Sequence, residues 1–275
     1  MGILGGVPED LARDTGTPPR IPTPMERLTN AVELLDGPLD DPVVLAGNLR
    51  DLRRINRWLG GGALSIAAIE ALAAHRAELT LLDVGTGGAD IPLALLGWAG
   101  RRSRRLSVVG IDSRPEILAA AVQANPASAS TDRLELHLGD GRSLPYPDRS
   151  FDVAHASLVL HHLGPEAAVE LLREMARVAR LGVVVNDLHR GMLGWLGAWL
   201  LGHLLTGNRY TRHDAPLSVR RAYLLDEMTD LLRAAGLTPV ATFRGALGQR
   251  YAIAALLGLD GGDPTGLPNP LEAGK

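Results

Sequence analysis

Cysteine is absent from all 275 residues. Disulfides, thiolate metal sites, redox pairs and cysteine nucleophiles are therefore excluded. Lysine is almost absent too. Lys275 is the only one, so no internal lysine can form a Schiff base or serve a phosphate-binding loop. Aromatic residues number two Phe, four Trp and four Tyr, too few for a long base-stacking platform. Nor is there an excess of positive charge. With 28 Lys+Arg against 31 Asp+Glu the formal net charge is −3, which argues against nucleic acid as a partner. Long apolar runs are missing: the greasiest stretch, Met192 to Leu205, contains His203 and is too short for a comfortable membrane span. Residues 1–10 lack the basic start and apolar core of a signal peptide. The reading is a cytoplasmic protein with no stable membrane span.

What the chain does have is apolar content, 46% of its residues, enough for one α/β domain with a full core. Residues 1–24 hold five prolines and read as a flexible arm. Residues 25–76 read as an N-terminal helical cap broken at Gly37-Pro38 and Gly60-Gly61-Gly62, with Leu45, Leu49, Leu52 and Ile55 at helical spacing. The interleaved Arg50, Arg53, Arg54 and Arg57 are either a solvated face or a phosphate-binding stripe. From Leu79 the texture changes to short apolar runs alternating with helical patterns, the mark of βαβ units. Strands are expected near 79–84, 106–112, 134–138, 151–156 and 182–187, with helices near 90–99, 115–124 and 165–179. An apolar insert, 191–207, follows the fifth strand. A helix near 219–235 stops at Gly236, and strands near 238–244 and 250–257 complete a unit spanning 77–259. Residues 260–275 read as a flexible tail.

The most informative stretch is Asp83-Val84-Gly85-Thr86-Gly87-Gly88-Ala89-Asp90-Ile91-Pro92, where an apolar strand runs into glycines and then a helix. Glycine there permits positive φ and close approach of a ligand to the backbone. Asp90 is suited to N-cap the helix and Pro92 to lie in its first turn. A dinucleotide fingerprint needs a glycine where Asp90 stands. A carboxylate there repels a pyrophosphate and suits a ligand carrying an ammonium or sulfonium. Two further strands also end in acids, at Asp112 and Asp140. Asp112 could accept from a ribose diol and Asp140 from an exocyclic amine. Three acid-terminated strands at the carboxyl edge of a parallel sheet mark the place where open α/β sheets bind ligands.

These pieces resemble the class I S-adenosylmethionine-dependent methyltransferases, specifically the small-molecule branch that includes the ubiquinone/menaquinone-biosynthesis type. The matching segments are DVGTGGAD (83–90), GIDSRPEIL (110–118), GDGRSLPYPDRSFD (139–152) and ASLVLHHL (156–163). Ala89 departs from the pattern, which often has a third glycine there. The resemblance implies an α/β fold over roughly 64–257: a Rossmann-like, seven-stranded, mostly parallel sheet with flanking helices. It implies S-adenosylmethionine as cofactor. By that resemblance Asp83, Gly85, Thr86 and Gly87 line its methionine portion and Asp112 holds the ribose, with Ser113 beside it. Asp140 meets the adenine amine, Gly141 the ring edge, and Ser157 belongs to the same set.

Methyl transfer from a sulfonium needs positioning, desolvation and, for some acceptors, a base. His161 and His162 follow the fourth strand and are the catalytic candidates; packing of the loop is the alternative reading. Asp187 and His189 follow the fifth strand as further bases, and Asn186 to Arg190 either touch substrate or tie down the insert. Residues 208–214 read as a substrate-reading segment or a solvated loop. The insert carries Trp195 and Trp199 without a polar face, so it must cover something, either the helical cap or an acceptor pocket as a lid. Membrane-surface contact is disfavoured because the segment lacks a basic face. The chain has neither the Asn/Asp-Pro-Pro-aromatic tetrad of amino-methylating DNA enzymes nor a cysteine for cytosine-C5 chemistry, which leaves a small organic acceptor. The expected activity is methylation of an oxygen or carbon of a small, fairly hydrophobic metabolite. N-methylation of a small amine and a non-catalytic cofactor-binding partner are the alternatives, and a nicotinamide oxidoreductase conflicts with Asp90. No metal is expected.

Overall fold

A computed structural model describes residues 25–125 and 132–258. The expected arm at 1–24 and tail at 260–275 lie outside the described residues. Strands β1 (Glu78–Val84), β2 (Arg105–Asp112), β3 (Leu134–Leu138), β4 (Phe151–Ser157), β5 (Ala179–Leu188), β6 (Leu237–Arg244) and β7 (Arg250–Leu257) form one sheet. Its order is β3-β2-β1-β4-β5-β7-β6. The first five strands run parallel, and β7 runs antiparallel to both β5 and β6. Central strands such as β4 are buried along nearly their whole length, as continuous apolar runs between two helical layers should be.

The helices are α1 (Pro42–Trp58), α2 (Gly61–Ala73), α3 (Asp90–Arg101), α4 (Pro115–Ala124), α5 (Pro165–Val178), α6 (Met192–Leu204), α7 (Arg209–Arg221) and α8 (Leu225–Ala234). On one face Leu172 and Met175 of α5 and Met228 and Leu232 of α8 pack on the sheet. On the other, Ala68 and Ile69 of α2 and Leu95 and Trp98 of α3 do so. A third cluster joins Leu45 and Leu49 of α1 to Ile117 of α4 and Tyr210 of α7. The strand order reverses between β1 and β4, the switch point at which such sheets open a crevice at their carboxyl ends.

Three local readings need correction. Ala89, at φ 57°, caps α3, and Asp90 is its first residue; the Asp90 carboxylate is instead held by Asn56. Residues 208–214 are not a loop. Asn208 accepts hydrogen bonds from Tyr210 N and Thr211 N and starts α7, with Tyr210, Thr211 and Asp214 buried. The helix expected over 219–235 is two helices, α7 and α8. Arginine side chains take the carbonyls at the break: Arg27 Nε donates to Arg221 O at 2.7 Å and Arg190 Nη1 to Ala222 O at 2.6 Å. A continuous helix would need those carbonyls for its own ladder.

Candidate active site

A cavity of about 420 Å³ opens at the carboxyl ends of β1, β2 and β4. Asp83, Gly85, Thr86, Gly87, Asp112, Ser113, Asp140, Gly141 and Ser157 all line it. The loop after β1 turns back on β2: Gly85 N and Thr86 N both donate to Ile111 O, at 2.8 and 3.0 Å. Gly85 has φ +68°, and a Cβ there would stand 2.4 Å from Val159 Cγ2, so glycine is required twice over. Gly87 N donates to Asp112 Oδ2 and Arg114 N to Asp112 Oδ1, both at 3.0 Å. Burial nevertheless raises the Asp112 pKa against those two N–H bonds. Asp140 is exposed, and the Arg142 backbone N–H and side chain lower its pKa.

Behind the cavity runs a buried polar chain that the sequence reading did not find. Asp83 Oδ1 lies 2.6 Å from His155 Nδ1, and His155 Nε2 lies 2.8 Å from Ser65 Oγ. Asn186 Nδ2 donates to Ser65 Oγ at 2.7 Å, while Asn186 Oδ1 accepts from Arg250 Nε at 2.6 Å. Arg250 Nη1 then donates to Asn56 Oδ1 at 2.5 Å and Nη2 to Ser157 Oγ at 2.8 Å. Asn56 Nδ2 completes the path to Asp90 Oδ2 at 2.8 Å. Arg250 is 1% exposed. Burial pulls its pKa down to about 10, with Asp187 and Asp90 opposing. Burial also raises the Asp90 pKa against the Asn56 bond. Two cavity carboxylates are thus tied to one buried guanidinium through a chain of side-chain hydrogen bonds. Gly61, which in sequence marks only a helix break, leaves room for this guanidinium: a Cβ there would stand 2.8 Å from Arg250 Nη1.

The two candidate histidines part company. His162 lines the cavity, with Nδ1 3.0 Å from Asp36 Oδ1. His161 is not on the cavity wall; it is buried, its Nδ1 2.7 Å from Asp187 Oδ1. The Asp187 carboxyl is also buried; burial would raise its pKa, but the charge and hydrogen bond of His161 outweigh that and lower it. Glu33, again buried, lies 3.9 Å from Nε2 of each histidine. The trio Glu33, His161 and His162 has the spacing of metal ligands. Arg221 Nη1, 3.4 Å from Glu33 Oε1, already gives that carboxylate a counter-charge. Residues 186–190 tie the structure together and do not line the cavity. Arg190, for example, grips Glu227 at 2.7 Å and Met25 O at 2.6 Å. The insert is not over this cavity either. No residue of α6 lines it, and the roof comes from the cap, through Leu49, Leu52 and Asn56 of α1. Among the described residues no helix is long and apolar enough to cross a membrane.

Comparison with known proteins agrees with this geometry. A methyltransferase-domain family model matches residues 82–185. The demethylmenaquinone methyltransferase of Deinococcus radiodurans is 30% identical over 182 residues, covering 62% of this chain and 71% of that protein. The chain belongs to the class I S-adenosylmethionine-dependent methyltransferases. A ubiquinone/menaquinone biosynthesis C-methyltransferase of Dinoroseobacter shibae is 34% identical over 113 residues, 40% of this chain, and the chain spans only 44% of its length. The crystal structure of an S-adenosylmethionine-dependent methyltransferase from Aquifex aeolicus shares the fold, with a TM-score of 0.55 at 18% identity over 79% of this chain and 98% of that one.

The cofactor of this methyltransferase is therefore S-adenosylmethionine, and the cavity suits it. Thr86 Oγ1 is buried without a hydrogen-bond partner, a polar atom awaiting one. Side chains at Gly139 and Gly141 would fill the cradle, with Cβ atoms 2.6 Å from Ile111 and 2.5 Å from Val84. Carboxylates at Asp83, Asp90, Asp112 and Asp140 ring the space, favouring a ligand that carries positive charge.

Proposed function

We propose that this chain transfers a methyl group to an oxygen or carbon of a small, fairly hydrophobic metabolite. One observation carries the reading: a single cavity is lined both by the acid-and-glycine set and by Leu35, Leu49, Leu52 and Leu163. Asp112 would hold the ribose hydroxyls with Ser113 beside it, Asp140 the adenine amine and Gly141 the ring edge. Asp83, Gly85, Thr86 and Gly87 would hold the methionine portion, with Ser157 on the same wall. When bound, S-adenosylmethionine supplies an electrophilic methyl group on a neutral thioether leaving group.

The chain's own residues do the rest. The leucines desolvate the acceptor and align it. His162, at the cavity wall, would take the proton of a phenol or enol, with Asp36 Oδ1 3.0 Å from its Nδ1. The His161 ring lies against it, centroids 4.2 Å apart and tilted by 34°, and would position it from behind. The name of the Dinoroseobacter relative, a C-methyltransferase, supports carbon as an acceptor atom.

Calorimetry tests the cofactor half. S-adenosylmethionine and its demethylated product should each bind saturably, and Asp112→Ala should weaken both by roughly 1–3 kcal/mol. Saturable NAD binding with no heat from either sulfur ligand overturns the reading. Mass spectrometry tests the other half, by a gain of one methyl on phenolic or enolic acceptors and none on small amines.

A further inference from the structure

We infer that the face built by α6 and the C-terminal end of α1 docks on an anionic lipid surface. Helix α6 is apolar on every side, yet among the described helices α7 alone packs extensively against it. Leu193 is 80% exposed, Leu204 73% and Met192 64%. Trp58, at the end of α1, is 63% exposed and shares a shallow cleft with Leu201 and Leu205. Among the described residues nothing covers this face. An apolar patch of this kind on a soluble chain marks an interaction site. At 13 residues α6 is ~20 Å long, so on a bilayer it can only lie flat, as interfacial helices do.

Charge selects the occupant. No acidic residue occurs between Asp187 and Asp214. The carboxylates of the adjoining helices, Asp51 and Asp214, are buried and spent on internal hydrogen bonds. On the two helices that flank the apolar face, Arg54 and Arg57 of α1 and Arg209 and Arg212 of α7 are exposed, Arg54 also lying 3.3 Å from Asp51 Oδ1. Arg54 lines the Trp58 cleft, and the Arg212 backbone packs on Gly202 of α6. The basic face that the insert lacks in sequence is thus supplied by its neighbours. A cationic rim stands on a chain whose net charge is −3. Two copies meeting through this face would set arginine against arginine, whereas anionic headgroups neutralise the rim as the side chains of α6 enter the acyl boundary. Helix α1 also carries Leu49 and Leu52 into the cavity, so docking and acceptor end share one helix. The docking itself does not rest on the acceptor reading.

Flotation with vesicles of phosphatidylglycerol and phosphatidylcholine in equal parts, against phosphatidylcholine alone, tests it on the full chain. The expected result is binding to the mixed vesicles that weakens as salt is added, with a blue shift of tryptophan fluorescence. Arg57→Gln and Arg212→Gln should each weaken binding about fivefold. Leu193→Glu with Leu204→Glu, both at exposed positions, should abolish it while leaving S-adenosylmethionine affinity unchanged. Three outcomes overturn the proposal: no flotation with either vesicle, equal binding to neutral vesicles, or a dimer in sedimentation velocity that Leu193→Glu disperses.

Discussion

The glycine loop and the arginine network meet around Asp83 and Asp90, yet they hold their parts of the cavity by opposite means. Along the loop, residues adjacent in sequence bond through backbone: Gly85 and Thr86 to Ile111, Gly87 to Asp112. In the network, residues 56, 65, 155, 186 and 250 meet only through side chains from five separate elements. A backbone-built wall depends on what each residue lacks, since added atoms clash. A side-chain-built wall depends on what each residue carries, since lost atoms leave buried partners bare. The two should therefore break differently.

The largest effect should come from Arg250→Met, which removes the one cation of the network. Asn56, Asn186 and Ser157 would lose their donor inside a buried site. Breaking such a buried charge network costs about 3–5 kcal/mol, or a fall in Tm of about 10 °C for a chain this size. Thermal unfolding measures it. S-adenosylmethionine affinity should fall in the same variant, because Asp90 and Ser157 are left unsupported; a stable variant with normal affinity would remove the network from the site.

Next comes Gly85→Ala against Gly87→Ala, two substitutions two residues apart. Both positions have positive φ, +68° and +54°, but a Cβ at Gly85 meets Val159 at 2.4 Å and one at Gly87 meets nothing within 4 Å. Gly87→Ala should cost only the left-handed backbone, about 1–2 kcal/mol. Gly85→Ala should add a clash of about 1–3 kcal/mol, part of which Val159→Ala restores. Urea unfolding of the three variants resolves the two contributions. Equal costs at both glycines would mean that the loop is set by conformation alone.

The same contrast explains what sequence reasoning reached. The strands, their acidic ends and the glycine loop are local patterns, and all nine cofactor candidates do line one cavity. Arg250 escaped because β7 also reads well as an ordinary closing strand, and its partners lie up to 194 residues away. The start of α7 escaped because Asn-Arg-Tyr-Thr-Arg-His-Asp is polar enough for a loop; only the fold shows Thr211 meeting Asp51 and Asp214 meeting Leu34. The insert stays open between cap and lid in sequence because greasiness does not say which neighbour it meets; in the fold no residue of α6 lines the cavity.

A smaller effect separates the two histidines. His162→Gln should lower turnover roughly 10²-fold with cofactor affinity intact, because its ring is at the cavity wall. His161→Gln should cost mainly stability, because it leaves the buried Asp187 without its 2.7 Å partner. Stopped assays paired with thermal melts distinguish them, and the reverse pattern would move the proton acceptor to His161.

The smallest and most diagnostic effect concerns Asp36, a cavity residue outside both walls that lies 3.0 Å from His162 Nδ1 and 2.8 Å from Arg221 Nη1. Burial alone would raise its carboxyl, but the His162 and Arg221 hydrogen bonds and charges outweigh it and keep it well below its ordinary 3.8. The sign follows directly. Because the unfolded chain takes up the proton first, the stabilisation is present above pH ~4 and is lost as the pH falls below it. Its side chain is 34% exposed, so solvent screening limits the contribution to about 1 kcal/mol. Glu33 beside it works in the opposite sense, since burial raises its pKa against His162 and Arg221. Wild type should therefore exceed Asp36→Asn by about 1 kcal/mol in urea unfolding at neutral pH, and the gap should close on acidification. A gap that widens as the pH falls would mean that the carboxylate is held up, and His162 with it left unheld.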